Sequence, residues 1–328
     1  MKVLITGADG MLGSSICREA LKQGYSVRAM VLPDRKTTVL DGLDIELVQG
    51  NLLDEVAVAK AVEGCDYIIN VAASTQIWPR RSPFIWKVNY EAVKGLVEAG
   101  KRNNIKRFVQ IGSASSFGHG TKEQPGNEHT PYNGEAYNMD YIDSKYQAQQ
   151  YLLNEFKTKG FNAIVVNPTY MIGPFDSGPS SGKMMLTLLK GSLPGYSSGS
   201  KNFVYSLDVA VAAVNALTLG KVGECYIAGN ENLSFEEFFR KVCSVNNIPF
   251  KLKKLPDFVV LLVGFSGSIW AKITQKHPKL GYNMAKQAIM TQCFDASKSR
   301  EELNMPTTPI NVAIDSCIQW WKENKYLS

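Results

Sequence analysis

Residues 1–16 read MKVLITGADGMLGSSI. An apolar run, Val3 to Thr6, stops at Gly7; Gly10 and Gly13 follow at three-residue intervals, and a helical pattern begins behind them. Each glycine meets a physical need. A tight strand-to-helix turn calls for positive φ, which suits Gly7. A diphosphate approaches backbone closely only where no side chain intrudes, which suits Gly10, and Gly13 lets the helix pack against the strand. The helix start then offers free N–H groups and partial positive charge to phosphates. A glycine-spaced turn alone is a weak signal, but this one lies inside a βαβ unit, the context that gives it meaning. Thr6, Gly7, Gly10, Met11, Leu12 and Gly13 are therefore the first candidate site, for a dinucleotide.

The alternation continues outward from that turn. Strands are expected at 2–6, 26–31, 45–50, 65–73, 107–115 and 161–168, with helices at 12–24, 56–64, 89–104 and 141–160 between them. Such spacing implies an α/β fold, a Rossmann-type doubly wound parallel sheet covered on both faces. Beyond Pro168 the regularity fades. Gly/Ser/Pro-rich loops at 173–183 and 190–201 could flank a cleft, and 202–220 reads as a strand and helix returning to the main unit. The expected division is a nucleotide-binding domain, 1–166 with 197–220, and a smaller C-terminal substrate-binding domain, 167–196 and 221–328.

At 328 residues, 45% hydrophobic and 20% charged, the chain has an ordinary globular composition. The net charge of +6 comes from scattered lysines and arginines, which argues against nucleic acid as a partner. The six cysteines, Cys17, Cys65, Cys225, Cys243, Cys293 and Cys317, form no CxxC pair and no metal spacing, so free buried thiols in a reducing, cytoplasmic setting are expected. No signal peptide is read at the N-terminus. The apolar stretch Phe258–Ala271 falls short of the roughly 20 residues of a spanning helix. It is expected to be a helix packed on the substrate side, not a transmembrane segment, with peripheral membrane contact as the alternative.

A second motif lies far from the first. Tyr141 and Lys145 are four apart on an expected helix, so both face one side. A phenol with a pKa near 10 is a poor acid or base at neutral pH unless a nearby cation stabilises its anion, and Lys145 is placed to do so. Ser113 ends the fifth strand, where its hydroxyl could hydrogen-bond a substrate oxygen; Ser115 and Ser116 are alternatives. A lone Tyr-x-x-x-Lys pair would ordinarily be surface chemistry, but here it follows the glycine turn and the serine strand in order.

Together TGADGMLG (6–13), SASSFG (113–118) and YIDSK (141–145) resemble the extended short-chain dehydrogenase/reductase family, also described as the NAD-dependent epimerase/dehydratase superfamily. VRAMVLPDRK (27–36), VVNPTYMIGP (165–174) and the C-terminal stretch are similar to its dihydroflavonol-reductase and 3β-hydroxysteroid-dehydrogenase-like group. The resemblance implies that Tyr141 exchanges a proton with the substrate oxygen, Lys145 also holds the nicotinamide ribose, and Ser113 orients the substrate. It further implies cofactor contacts at Val71, Ala72, Ala73 and Pro168, an adenine site at Asn51 and Leu52, and a homodimer through the Tyr141 helix. Asn89 and Asp208 match family positions, although each could simply cap a helix.

An NAD site usually carries an acidic residue at the end of the second strand. Here Leu32 ends it, and Arg35 and Lys36, with Arg28 nearby, could hold a 2′-phosphate. NADP is therefore the expected cofactor, and Asp34 keeps NAD open. The expected reaction is hydride transfer to or from a hydrophobic ketone, aldehyde or secondary alcohol. A nucleotide-sugar epimerase is the alternative, and a catalytically silent sensor would need the serine, tyrosine and lysine to be idle. A 4,6-dehydratase fits less well, because no acidic residue stands in GSASSFG.

Overall fold

The computed structural model describes residues 1–179 and 181–327. In chain order the first unit comprises β1 (Lys2–Thr6), α1 (Met11–Lys22), β2 (Ser26–Val31), β3 (Glu46–Gln49), α2 (Glu55–Val62) and β4 (Tyr67–Asn70). A short helix α3 (Pro83–Trp86), α4 (Ala92–Arg102), β5 (Arg107–Ile111), α5 (Asp140–Lys159) and β6 (Ala163–Pro168) follow. Then come β7 (Tyr170–Ile172), α6 (Lys183–Leu189), β8 (Ser200–Tyr205), α7 (Ser206–Asn215), β9 (Cys225–Ala228), β10 (Glu231–Ser234) and α8 (Phe235–Val245). The chain closes with α9 (Asp257–Thr274), α10 (Tyr282–Ala288), β11 (Thr291–Gln292), α11 (Ser297–Leu303) and α12 (Ile310–Glu323).

Seven strands form one parallel sheet in the order β3-β2-β1-β4-β5-β6-β9. Its central strands are apolar on both faces, as a sheet sandwiched between helices requires. Val3, Leu4 and Ile5 of β1 are wholly buried, as are Ile68 and Ile69 of β4; each such side chain contributes about 1.5–3 kcal/mol of burial. On α1, Leu12, Ile16, Cys17 and Ala20 recur at helical spacing and form its buried face. The strand order reverses between β1 and β4, and such a switch point opens a crevice at the carboxyl ends of the strands. The glycine turn lies there.

The second sheet is centred on β8, with β10 antiparallel to it and β7 and β11 parallel. A separate core of Phe203, Phe238 and Trp321 lies beneath it; the Phe203 and Phe238 rings stack at 4.2 Å. Two boundaries differ from expectation. The segment 202–220 splits, because β8 belongs to the second sheet while α7 packs on α1. And β9, within the stretch assigned to substrate binding, completes the first sheet beside β6. Both strands are short, and their sheet membership is set by long-range pairing.

Candidate active site

The turn after β1 is sterically closed to any side chain. Gly7 has φ +62°, and a Cβ there would lie 2.7 Å from the Ala72 Cα. A Cβ at Gly13 would fall on the Gly7 carbonyl oxygen and within 2.8 Å of the Ala8 Cα. Gly10 is less confined: a Cβ there would meet only the Gly7 carbonyl oxygen, at 3.4 Å, and as the residue before α1 it leaves the helix without a side-chain cap. The first N–H groups of α1 thus open onto a cradle shaped for a phosphate. The residues present fit a dinucleotide.

Behind the turn runs a buried chain of amides. Thr6 Oγ1 donates to Asn70 Oδ1 (2.5 Å) and accepts from the Val71 and Ala72 N–H groups (3.2 Å each). Asn70 Nδ2 donates to Gln110 Oε1 (2.9 Å), and Gln110 Nε2 to the Ile111 carbonyl (2.9 Å). Lys145 Nζ donates to that same carbonyl at 2.9 Å. Asn167 Oδ1 accepts from the Ser113 N–H at 2.9 Å. Three parallel strands are thereby locked in register from the glycine turn to Lys145. Sequence reading missed Asn70 and Gln110; the available signal was a pair of amides in otherwise apolar strands, where an unpaired polar group would be costly.

Further contacts aim the Tyr141 helix. Asp140 accepts from Arg81 Nη1 and the Ser82 N–H, both at 2.6 Å. Asn89, buried in a wide turn at Lys87–Glu91, bonds both backbone groups of Ser74 and reaches Ser144 Oγ at 3.2 Å. It ties α5 to the loop after β4, so helix capping is not its role. Asp208 does not cap α7 either; it accepts from the Thr308 N–H and hydroxyl, both at 2.8 Å.

The leading sequence-derived candidates line one cleft of about 860 Å³: Thr6, Gly7, Gly10, Met11, Leu12, Gly13, Arg35, Lys36, Asn51, Leu52, Val71, Ala72, Ala73, Ser113, Tyr141, Lys145 and Pro168. That volume is typical of a small-molecule site. Ser115 and Ser116 are not on its wall; Ser115 Oγ instead bonds Ser113 Oγ at 2.8 Å. Arg28 is also absent, because its guanidinium is committed to the Ala61 and Glu63 carbonyls (2.8 and 2.6 Å) and to Glu46 (2.9 Å). Arg35, Lys36 and Asp34 are exposed at the cleft edge. Asp9, Thr38 and Phe84, which also line it, carried no sequence signal. A second groove of about 630 Å³, bounded by Arg18, Asp208 and Trp320, holds none of the candidates.

At the inner end, burial pushes the Lys145 ammonium down to about 8. Tyr141 moves the other way: burial raises it, and the hydrogen bond with Ser113 only partly opposes that. The expected depression of Tyr141 by Lys145 is thus not the net result. Desolvation acts on both groups, and it weakens the cation that was to stabilise the anion. The six cysteines are free and buried, and no metal-ligand cluster exists among the described residues.

A doubly wound sheet, a glycine-lined phosphate cradle and a serine, tyrosine and lysine in one cleft define a nucleotide-dependent enzyme class. The profile of the NAD dependent epimerase/dehydratase family matches residues 3–229, and the chain belongs to that family. It is 26% identical to a putative dihydroflavonol 4-reductase of Synechocystis, over 98% of this chain and 95% of that protein. It is 24% identical to sterol demethylase protein B of Methylococcus capsulatus, over 98% of this chain and 99% of that one. The crystal structure of gox2253 superposes with a TM-score of 0.87 at 28% identity, covering 100% and 99% of the two chains.

Proposed function

We propose that the protein is an NADP(H)-dependent reductase or dehydrogenase that acts on an apolar ketone, aldehyde or secondary alcohol. The observation that carries this reading is the convergence of Ser113, Tyr141 and Lys145 on the cleft that begins at the glycine turn. Gly7, Gly10, Gly13 and the α1 N-terminus would hold the diphosphate, Asn51 and Leu52 the adenine, and Arg35 and Lys36 the 2′-phosphate. The nicotinamide, when bound, supplies or accepts the hydride.

In the reducing direction Ser113 Oγ hydrogen-bonds the substrate carbonyl oxygen and fixes it beside the Tyr141 phenol. As hydride adds to carbon, the phenolic proton passes to that oxygen, giving the alcohol and a tyrosinate. The Lys145 ammonium steadies the tyrosinate until a proton returns from solvent. A raised Tyr141 pKa keeps the phenol protonated, the form this direction needs. Phe84, Val88 and Met171 give the cleft apolar wall, and the relatives named for a dihydroflavonol and a sterol support an apolar substrate.

The test is a screen of carbonyl compounds and nucleotide sugars with NADPH and NADH, read by cofactor absorbance and product analysis. Turnover of an apolar carbonyl at the expense of NADPH is the expected result. Interconversion of a nucleotide sugar without net cofactor change would replace this reading with an epimerase.

A further inference from the structure

The stretch expected to pack on the substrate side is the longer helix α9, and most of it faces outward. Its buried side is narrow: Val260, Gly264 and Ala271 turn inward, and Cβ atoms at Gly264 and Gly267 would collide with Ala285 and the Leu280 carbonyl. This small-residue face packs on α10. The opposite side carries Phe258, Leu262, Phe265, Ile269 and Ile273, spaced four, three, four and four apart, so they form one stripe. These five are 46–76% exposed. Val263 and Trp270 widen the stripe. The helix is long and apolar enough to cross a membrane by length and composition, yet one side is already engaged by protein.

The flanking sequence carries mostly positive charge. Residues 251–290 hold seven lysines, Lys251, Lys253, Lys254, Lys272, Lys276, Lys279 and Lys286, against a single carboxylate, Asp257. All seven are exposed, and none takes part in an ion pair among the described residues. Along this stretch positive charge is left over around an apolar stripe. A second copy of the same chain would bring the same lysines and repel.

We propose that α9 lies in the surface of an anionic bilayer, with its apolar stripe among the acyl chains and its flanking lysines on the headgroup phosphates. An in-plane helix with aromatic and aliphatic residues on one side and lysines at its borders has the chemistry of interfacial binding. Trp270, with an apolar ring and a polar N–H, suits the headgroup boundary. The position has a consequence for substrate. His277, just past α9, packs edge-on against Trp78 at 5.7 Å, and Asn283 of α10 donates to the Tyr137 carbonyl at 3.2 Å. The hairpin therefore rests on the segments that lead into Tyr141, and docking sets the catalytic cleft near the membrane, from which an apolar substrate can enter.

Flotation of the intact chain with vesicles tests the docking without any assay of turnover, so it stands or falls separately from the proposed reaction. The chain is expected to float with phosphatidylcholine vesicles containing phosphatidylglycerol, to float far less with phosphatidylcholine alone, and to be released by salt. Leu262→Asp with Ile269→Asp should reduce the bound fraction at least about tenfold. Lys251→Ala, Lys253→Ala and Lys254→Ala together should do the same on the anionic vesicles only. All these positions are exposed, and circular dichroism melts superimposable on wild type verify folding. The proposal is overturned if the wild type stays unbound with anionic vesicles, or if the aspartate variant floats equally well. It is also overturned if sedimentation shows a dimer that Leu262→Asp splits, since a second copy would then cover the stripe.

Discussion

At the glycine turn a single added methyl group collides with backbone, whereas on α9 seven large apolar side chains stand open to solvent. The glycine turn lines the cleft and α9 does not, and the two obey different constraints. The turn is fixed from within: the Gly7 carbonyl, Ala8 and Ala72 leave no room for anything but glycine, and the Thr6–Asn70–Gln110 amides hold the strands behind it. The stripe on α9 is held at Phe265, whose ring meets Tyr282 edge-on at 6.3 Å, and is otherwise largely open to solvent. A site whose geometry the fold determines should respond sharply to small changes, and a surface awaiting a partner should tolerate them until that partner is present.

The largest expected effect falls between the two regions. Tyr141→Phe removes one oxygen at the inner end of the cleft and should lower turnover by about 10²–10⁴-fold. NADPH affinity and melting temperature should stay near wild type, because the phenol is no part of the cradle. Steady-state kinetics beside a fluorescence titration separate the two. Retained turnover would place the proton donor elsewhere.

Gly13→Ala probes the cradle itself. Its Cβ would land on the Gly7 carbonyl, so α1 has to move away from β1, at a cost of about 1–3 kcal/mol of stability. The displaced helix start should weaken dinucleotide binding at least tenfold, while the matching change at Gly10, where a Cβ meets only the Gly7 carbonyl oxygen at 3.4 Å, should cost little stability and mainly impair binding. Equal melting temperatures for the two variants would mean the turn is more pliable than its contacts indicate.

The legible parts of the chain were those whose cause is local. A strand, a positive-φ glycine and a helix start are written in adjacent residues, and so was the Tyr141/Lys145 pair, which needs only a helix. The side chains set by pairing across the sheet were not. Arg28 was a plausible phosphate ligand by position, but the register of β2 on β3 puts it opposite Glu46 and sends it to the α2 carbonyls. Asn70 and Gln110 meet only because β4 and β5 are neighbours. The second sheet was harder still, since β11 is two residues long and β8 gathers partners from three distant segments. For α9, apolarity was visible, but which side faces outward depends on where its glycines meet α10.

Two buried lysines sharpen the contrast between what the cleft needs and what the fold needs. Burial holds both Lys145 and Lys201 at about 8, below the 10.5 of an unburied lysine. Between those values the unfolded chain binds more protons than the folded one, so each lysine makes stability rise with pH from about 8 to 10.5. Lys145→Met should lower turnover no further than Tyr141→Phe and yet raise stability at pH 7 by on the order of 2 kcal/mol once the lost bond to Ile111 is deducted, seen as a higher melting temperature. The gain should shrink as the pH approaches 10.5. Lys201→Met, which removes a contact to Gln292 in the second sheet, should share the pH trend and keep turnover. Melting curves across that pH range, with activity at each end, check both.

The smallest expected effect lies at the outer rim. Arg35 and Lys36 are exposed on the cleft edge, and no ion pair among the described residues engages either. Water screens charges in such a position, so each contact with a 2′-phosphate is worth about 1 kcal/mol or less. Arg35→Ala with Lys36→Ala should therefore cost NADPH about tenfold or somewhat more in affinity, and leave NADH binding within about twofold. Rising salt should erode the wild-type preference for NADPH in the same direction, since exposed charges lose their reach as the Debye length shortens. Asp34, beside them with φ +60°, is poised for the opposite preference. If the wild type already favours NADH, Asp34 holds the ribose 2′-hydroxyl, and Asp34→Ala would then weaken NADH, not NADPH.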